Sequence, residues 1–169
     1  TLGDGGHAQA ILCSVSDSRI LGIDADPEAV GVARGRLERF GDRASLVNGN
    51  FRSLKSVASQ AGFIPSHGIL FDLGVSSRQL DVESRGFTFR RPGTLDMRFS
   101  PDAEVSAFDI VNSYSEENLA NVIYQYGEER RSRRIAKAIV AGRPLTDSQQ
   151  LADLVRRSSG YPRGRTHPA

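Results

Sequence analysis

The sequence is poor in cysteine and in lysine, and it has no long apolar run. Cys13 is the only cysteine among 169 residues, which excludes an internal disulfide framework and a cysteine-based zinc site and is typical of a reducing compartment such as the cytoplasm. No stretch approaches the roughly 18 apolar residues of a membrane-spanning helix, so a membrane is not an expected partner. The histidines form no convincing metal-ligand pattern, and no metal is predicted.

The basic residues are almost all arginine, and they concentrate in the second half. Lys55 and Lys137 are the only lysines, so 20 of the 22 basic residues are arginine. Residues 1–75 carry 7 basic and 8 acidic side chains, a net charge of −1, whereas residues 128–169 carry 10 and 4, a net charge of +6. Arginine suits the binding of RNA phosphates. A GC-rich genome produces the same bias, and both explanations stay open.

The first half alternates between strand-like and helix-like segments. Helices are predicted over residues 8–15, 27–40 and 53–61, and strands over residues 19–24 and 44–47. The nearly continuous apolar run at 67–73 (HGILFDL) predicts a third strand, buried on both faces of a sheet. This order predicts an α/β fold built on a doubly wound parallel sheet.

The second half has a different character. Residues 74–101 are rich in Gly, Ser, Arg and Asp without a sustained period, which predicts an ordered functional loop. Three amphipathic helices follow. The first begins at Ser115, the second contains Ile135, and the third opens with a capping box formed by Thr146 and Gln149.

A glycine-rich turn and a later carboxylate predict a nucleotide pocket. The segment Gly3-Asp4-Gly5-Gly6-His7-Ala8 fits the pattern G-x-G-x-x-G/A, in which glycine lets the backbone approach a ligand closely. Asp24 ends the next strand, where a carboxylate accepts hydrogen bonds from a ribose in nucleotide-binding α/β folds. The pattern indicates an adenosine-containing cofactor, either NAD(P) or S-adenosyl-L-methionine.

Two further side chains are predicted near this pocket. Asp72 ends the apolar run at the carboxyl edge of the predicted sheet, where ligands of such folds bind, and packing alone explains a carboxylate there poorly. Phe51 follows the Gly49-Asn50 turn and could stack on an adenine ring, although core packing explains a single phenylalanine nearly as well.

A basic cluster lies at residues 128–134 (EERRSRR). If this segment is helical, four guanidinium groups surround one turn and could bind RNA phosphates. The alternative is a solvated helix face held by pairs such as Glu129 with Arg133. The four arginines are Arg130, Arg131, Arg133 and Arg134.

Six strings go beyond a generic fold: TLGDGGHAQAIL at 1–12, GIDADPEAV at 22–30, GILFDLGVSSRQLD at 68–81, RGFTF at 85–89, LDMRF at 95–99 and YGEERRSRRIAKAIV at 126–140. Together they resemble the bacterial ribosomal RNA small-subunit methyltransferase H family over nearly the whole chain. The resemblance implies S-adenosyl-L-methionine as cofactor and N4-methylation of a cytidine in 16S rRNA at the decoding centre. The expected partner is therefore 16S rRNA in the small ribosomal subunit, and homodimer formation is left open.

The resemblance also implies a class I methyltransferase fold, a Rossmann-like doubly wound sheet, with an inserted helical domain. The expected division is a partial methyltransferase domain at 1–101, with its active-site loop at 74–101, and a helical substrate-recognition insertion at 102–169. Relatives have further residues before Thr1, including most of the first strand, and further residues after Ala169. The chain is therefore expected to be an internal fragment that is poorly stable and inactive by itself.

Site residues follow by matching positions to the family motifs. The cofactor contacts implied by the resemblance are Gly5, Gly6, His7, Asp24, Phe51, Asp72 and Gln79. The cytosine amine is a poor nucleophile and needs hydrogen-bond acceptors, for which Asp72 and especially Asp96 are the predicted carboxylates. The predicted RNA-phosphate contacts are Arg90, Arg91 and Arg98 in the loop, with Arg130, Arg131, Arg133 and Arg134. Two other functions stay open, an NAD(P)-dependent oxidoreductase and a non-catalytic RNA-binding module.

Overall fold

The computed structural model describes residues 1–89 and 92–160, and its chain divides into two compact units. The first unit comprises Thr1–Ser76 with Phe99–Asp102, and the second comprises Ser77–Arg98 with Ala103–Ala169. The predictions made for Arg90 and Arg91 fall outside the described residues. Within the part of the chain that is described, no helix is long and apolar enough to cross a membrane.

The first unit alternates helices and strands as predicted. Two short 3₁₀ turns, Glu38–Arg43 and Phe51–Ser53, separate some of these elements. In chain order the elements are α1 (Gly6–Ser14), β1 (Ile20–Asp24), α2 (Pro27–Leu37), β2 (Ala44–Asn48) and α3 (Leu54–Gln60). The predicted start of α2 is confirmed, because the Asp26 side chain caps it by accepting a hydrogen bond of 3.0 Å from the Glu28 N–H.

The sheet is small and parallel. β1 pairs with β2 so that Ile20 lies opposite Ala44 and the register runs on to the last residue of each strand. The Leu2 N–H donates to the Ile23 carbonyl at 3.0 Å, which places the first residues of the chain on the other side of β1. The α/β class with a parallel sheet is therefore confirmed.

The third predicted strand is wrong, because residues 67–73 form no strand in the structure. Among the described residues, the backbone of this segment bonds only to Thr1, whose ammonium group donates to the Leu70 carbonyl at 3.2 Å and whose hydroxyl bonds to the Asp72 backbone. One residue cannot provide a ladder. The segment is also exposed rather than buried on two faces, with Leu73 at 66 % exposure.

Helices α1 and α2 cover the sheet and form the core of the first unit. Leu12, Ala33 and Leu37 are almost completely buried, and Leu2 joins them from the start of the chain. The apolar residues of α2 therefore face this core. The helix ends at Leu37, earlier than the predicted end at residue 40, because a 3₁₀ turn follows it.

The second unit is helical. Helix α7 packs against α5, α6 and α8, so it lies at the centre of the helical group. The helices are α4 (Ser77–Asp81), α5 (Ala107–Ser113), α6 (Glu116–Gly127), α7 (Ser132–Ala141) and α8 (Ser148–Ser159). The apolar periodicity predicted three of them, with Ser115 confirmed as the cap of α6. Helices α4 and α5 were not predicted, and α4 lies within the segment that was expected to be a loop.

The capping box predicted for α8 is wrong. Asp147 occupies the cap position, and its carboxylate accepts a hydrogen bond of 2.8 Å from the Gln150 N–H. Thr146 lies one residue earlier and donates from its backbone N–H to the Gln150 side-chain oxygen at 3.2 Å. Asp is at least as good a cap as Thr, so the helix begins one residue later than predicted.

The segment 77–98, which the sequence places with the methyltransferase domain, belongs to the helical unit in the structure. Leu95 is 3 % exposed within the helical core, and its carbonyl accepts from the Phe108 N–H. The Met97 N–H donates to the Arg85 carbonyl at 2.9 Å and closes the loop on itself. Apolar burial therefore attaches this segment to the helices.

Candidate functional site

The glycine-rich turn leads into α1 and requires glycine at one position in particular. Gly5 caps the helix with φ 82°, a left-handed conformation that side chains with a Cβ adopt at a cost. A Cβ at this position would also lie 3.2 Å from the Ala33 Cβ on α2. Glycine therefore allows the sharp turn and the close packing of the two helices at once. Gly6 is the first residue of α1 and His7 the second.

Asp24 lies directly against this turn. Its Oδ2 accepts a hydrogen bond of 2.8 Å from the Gly3 N–H, and its Oδ1 accepts one of 3.0 Å from the Asp26 N–H. A carboxylate has about four acceptor positions, so two remain for ligand hydroxyl groups. The Asp24 carbonyl accepts from the Asn48 side-chain amide at 3.0 Å and from the Gly49 N–H at 2.8 Å, which joins the ends of β1 and β2. Asn48 was not singled out from the sequence.

Two phenylalanines meet beyond the end of β2. The Phe51 and Phe71 ring centroids are 5.7 Å apart with the planes at 76°, an edge-to-face arrangement. Both rings are close to half-exposed, so each keeps a surface that another ring can cover. The sequence analysis did not identify Phe71 as a site residue, because it lies in an apolar run that predicts a buried strand. Its position directly before Asp72 was the one feature that indicated a site.

His7 and Asp72 are also brought together. His7 Nδ1 lies 3.3 Å from Asp72 Oδ2, and both side chains are about two-thirds exposed. The Asp72 N–H donates to the Thr1 hydroxyl at 3.2 Å, so this carboxylate stands beside the first residue of the chain and the first turn of α1. An imidazole can anchor a carboxylate while leaving acceptor positions on it.

The predicted cofactor residues of the first unit thus lie along one edge, linked by contacts. The glycine turn bonds to Asp24, the end of β1 bonds to β2, Phe51 after β2 contacts Phe71, and Asp72 next to Phe71 contacts His7 on α1. The edge offers a carboxylate for hydroxyl groups, an aromatic surface and a second, exposed carboxylate. This set of donors and acceptors fits an adenosine group carrying a charged amine.

Gln79 lies in α4 of the second unit and is 5 % exposed. Its part in the cofactor pocket stays a prediction. The roles of the other predicted site residues likewise stay predictions.

Asp96 and Arg98, predicted for different roles, bind each other. Arg98 Nε donates to Asp96 Oδ1 at 2.8 Å and Nη2 donates to Oδ2 at 2.9 Å. The hydrogen bonds from Arg98 lower the pKa of Asp96, and the bonded Asp96 raises the pKa of Arg98. Arg98 Nη1 also donates to the Ala103 carbonyl at 3.1 Å. The pair therefore stabilises the conformation of the loop around residues 96–103.

The basic cluster does not form one helical turn, so that expectation is wrong. Helix α6 ends at Gly127, and Glu128 adopts φ 52°, a left-handed conformation that stops the helix. Glu129 accepts a hydrogen bond of 2.7 Å from the Arg131 N–H through its side chain. Arg130 therefore lies in a turn between α6 and α7.

The same turn borders a concavity of about 330 Å³ on the helical unit. Its wall includes Asn121 and Tyr124 of α6, which the sequence analysis did not identify. Their i, i+3 spacing, which puts both side chains on one face of the helix shortly before the basic cluster, could have indicated them. The lining consists of Asn121, Tyr124, Arg130, Arg131, Ser132, Arg133 and Arg134.

Residues 1–169, the whole chain, match the family model described as the MraW methylase family. The chain belongs to this family. Methylases of the MraW family use S-adenosyl-L-methionine as methyl donor and are class I enzymes, and the small parallel sheet agrees with that class. The match removes the alternative of an NAD(P)-dependent oxidoreductase.

Curated relatives within the MraW methylase family are similar over the full chain. A protein of Dehalococcoides mccartyi named ribosomal RNA small subunit methyltransferase H is 50 % identical over 170 residues, which cover 100 % of this chain and 49 % of that protein. Proteins of the same name from Thermomicrobium roseum and Fusobacterium nucleatum are 50 % and 45 % identical over 100 % of this chain, and 53 % and 55 % of their own lengths are covered. The chain spans about half the length of the curated relatives it matches.

Proposed function

We propose that this chain serves the S-adenosyl-L-methionine-dependent N4-methylation of a cytidine in 16S rRNA at the decoding centre, in the cytoplasm. The names of its relatives support small-subunit ribosomal RNA as the substrate. The first unit is proposed to be part of a Rossmann-like methyltransferase domain, and the second to be an inserted domain that recognises RNA. Assembly as a homodimer remains a further proposal.

The observation that carries the proposal is the bonding of Asp24 to the glycine turn at the carboxyl edge of the sheet. Asp24 would accept hydrogen bonds from the ribose hydroxyl groups, with Gly5 forming the turn and the exposed Gly6 leaving room for the ligand. Phe51 would lie beside the adenine, and Asp72 would accept from the amine of the cofactor. When bound, the cofactor supplies a methyl group attached to a positively charged sulfur.

The residues of the chain would contribute mainly by positioning the reactants, because transfer of a methyl group needs alignment more than covalent help. The target base must leave its stack to reach such a site, and its amine must find an acceptor. Asp96 is the proposed acceptor. Its carboxylate is ionised near neutral pH, as an ordinary aspartate is, and the hydrogen bonds from Arg98 lower its pKa further.

Calorimetric titration of S-adenosyl-L-methionine into the chain tests the cofactor site. We expect Asp24→Asn to weaken binding about ten-fold or more, since a hydrogen bond to a charged group contributes about 1.5–3 kcal/mol. Asp42→Asn is the matched control, because Asp42 is exposed in the same unit and ends no strand. Thermal melts of both variants confirm that they are folded.

Three outcomes contradict parts of this proposal. Equal binding by the parent and Asp24→Asn would remove Asp24 from the site. Equal weakening by both variants would show a nonspecific charge effect. No binding by the parent, together with binding of RNA, would favour the non-catalytic RNA-binding alternative, whose support is the arginine-lined concavity.

A further inference from the structure

The concavity between α6 and α7, defined by the lining residues given above, has the composition of an anion site. Four of its lining side chains are arginine, and no acidic side chain lines it among the described residues. At about 330 Å³ it lies at the lower end of the range of about 300–1,000 Å³ for small-molecule sites. The concavity can therefore enclose a phosphate with an adjoining group, whereas a duplex is too wide to enter.

The four arginines fall into two pairs with different surroundings. Arg131 Nη1 donates to the Ser159 carbonyl at the end of α8, and Arg134 Nη1 lies beside Gly160, directly after that helix. Cations are favoured at the C-terminal end of a helix, so this pair stabilises the packing of α7 against α8.

All four side chains are exposed, but Arg130 and Arg133 form neither an ion pair nor a side-chain hydrogen bond among residues 1–89 and 92–160. The predicted pairing of Glu129 with Arg133 is absent from this part of the chain, since the Glu129 carboxylate binds the backbone of the turn instead. These two guanidinium groups are therefore available to a ligand.

Tyr124 adds an aromatic surface to the same concavity. It lies on α6 one turn after Asn121 and is 61 % exposed. An exposed tyrosine beside arginines is the combination with which proteins hold unpaired nucleotides, the ring stacking on a base and the guanidinium binding the phosphate. A duplex offers phosphates but no free base face.

We propose that this concavity binds one nucleotide of unpaired RNA, with its phosphate on Arg130 and Arg133 and its base stacked on Tyr124. The inference rests on the proposed function, because it makes the helical unit the one that holds the substrate RNA. It assigns the binding to two of the four arginines and gives the other two a structural role.

The test measures binding of a short fluorescent oligocytidylate to the full chain by polarisation at several salt concentrations. We expect Arg130→Gln with Arg133→Gln to reduce the slope of log K against log salt by about 0.7, the value for loss of one phosphate contact on a single strand. Arg34→Gln with Arg157→Gln removes the same charge from exposed positions outside the concavity and should retain the parent slope.

Tyrosine variants test the base separately. Tyr124→Leu should weaken binding at least about five-fold, the lower limit for loss of one stacked base, whereas Tyr124→Phe keeps the ring and should bind like the parent. A hairpin duplex should bind more weakly than the oligocytidylate and be insensitive to Tyr124→Leu. Tyr124 is exposed, so these variants are expected to melt like the parent.

Several results would overturn the inference. The first is an equal decrease of the salt slope in the arginine variants of the concavity and in the control variant. The second is tighter binding of the duplex than of the oligocytidylate, and the third is unchanged affinity in Tyr124→Leu. The fourth is competition by inorganic phosphate as effective as that by the oligonucleotide, which would assign the concavity to a free anion. Titration with S-adenosyl-L-methionine on the same samples separates the two proposals. RNA binding as expected without cofactor binding rejects only the proposed methyl transfer, and the reverse rejects only this site.

Discussion

At the scale of single residues, the abundance of arginine has several causes. Arg43 Nη2 donates to the Leu12 carbonyl at 2.8 Å at the end of α1, and Arg143 Nε donates to the Val111 carbonyl at 2.7 Å within α5. Side chains that satisfy helix carbonyls in this way stabilise the fold. The arginine content is therefore partly structural, and the proposed RNA contacts concern a smaller set that includes Arg130 and Arg133.

The Asp96–Arg98 pair predicts a pH dependence. Because the pKa of Asp96 is lowered in the folded protein, its ionised form stabilises the fold above the unfolded pKa of about 3.9. That contribution is lost as the pH falls through the lowered folded pKa. We expect Asp96→Asn to reduce the free energy of unfolding by about 1 kcal/mol near pH 7, a value discounted for the partial exposure of the pair.

Urea unfolding at a series of pH values checks this prediction. The difference between the parent and Asp96→Asn should shrink as the pH falls from 4 to about 2. Asp102→Asn, which removes an exposed carboxylate, should follow the parent at every pH. A constant difference between the parent and Asp96→Asn would show that the ionisation of Asp96 does not stabilise the fold.

At the scale of elements, local caps determine where helices begin. The clearest case is α5, where the Ser106 hydroxyl accepts from the Asp109 N–H at 3.2 Å and the Asp109 carboxylate accepts from the Ser106 N–H at 2.9 Å. The hydrogen bonds from Ser106 also lower the pKa of Asp109. Such a reciprocal box stabilises a helix of only seven residues, which periodicity alone did not reveal.

Removing this cap should destabilise α5. We expect Ser106→Ala to lower the free energy of unfolding by about 1 kcal/mol, because the Asp109 N–H loses its partner. Ser53 is the matched control, since it occupies the cap position of α3 without a side-chain hydrogen bond. Urea unfolding of both variants measures the difference. Equal losses in Ser106→Ala and Ser53→Ala would mean that the box contributes nothing.

At the scale of the whole molecule, the apolar core is divided. One cluster lies in the first unit around Leu12, and another lies in the second unit around Ile139. Each cluster is formed by residues of one unit alone. In the first unit, apolar side chains at 69–73 remain exposed, which reduces the area that this unit buries.

The two clusters should respond separately to substitution. Leu12→Ala and Ile139→Ala each leave a cavity and should each lower local stability by about 2–5 kcal/mol. Hydrogen exchange should show lost protection of amides in the first unit for Leu12→Ala and in the second unit for Ile139→Ala. Ile11→Ala, at a 42 % exposed position on the same helix as Leu12, is the control and should change little. Loss of protection throughout the chain in both core variants would show one cooperative unit.

Most helices and both strands could be predicted from the sequence because their signals are local. The Asp26-Pro27 start of α2 and the apolar spacing of α6 and α7 depend on neighbours within a few residues. The glycine turn was likewise predictable because it matches a known motif, and Asp24 was predictable because it ends a strand. Family membership followed from strings of residues and was confirmed over the whole chain.

The sequence by itself therefore determined the α/β class, the caps of α2 and α6 and the residues proposed to bind the cofactor. Only the tertiary structure decided that 67–73 forms no strand, that Phe71 contacts Phe51, and that Arg131 bonds to the Ser159 carbonyl. The physical reason is distance along the chain. A cap or an apolar period is set by adjacent residues, whereas a ladder, a ring contact or an ion pair requires a partner that folding brings from far away.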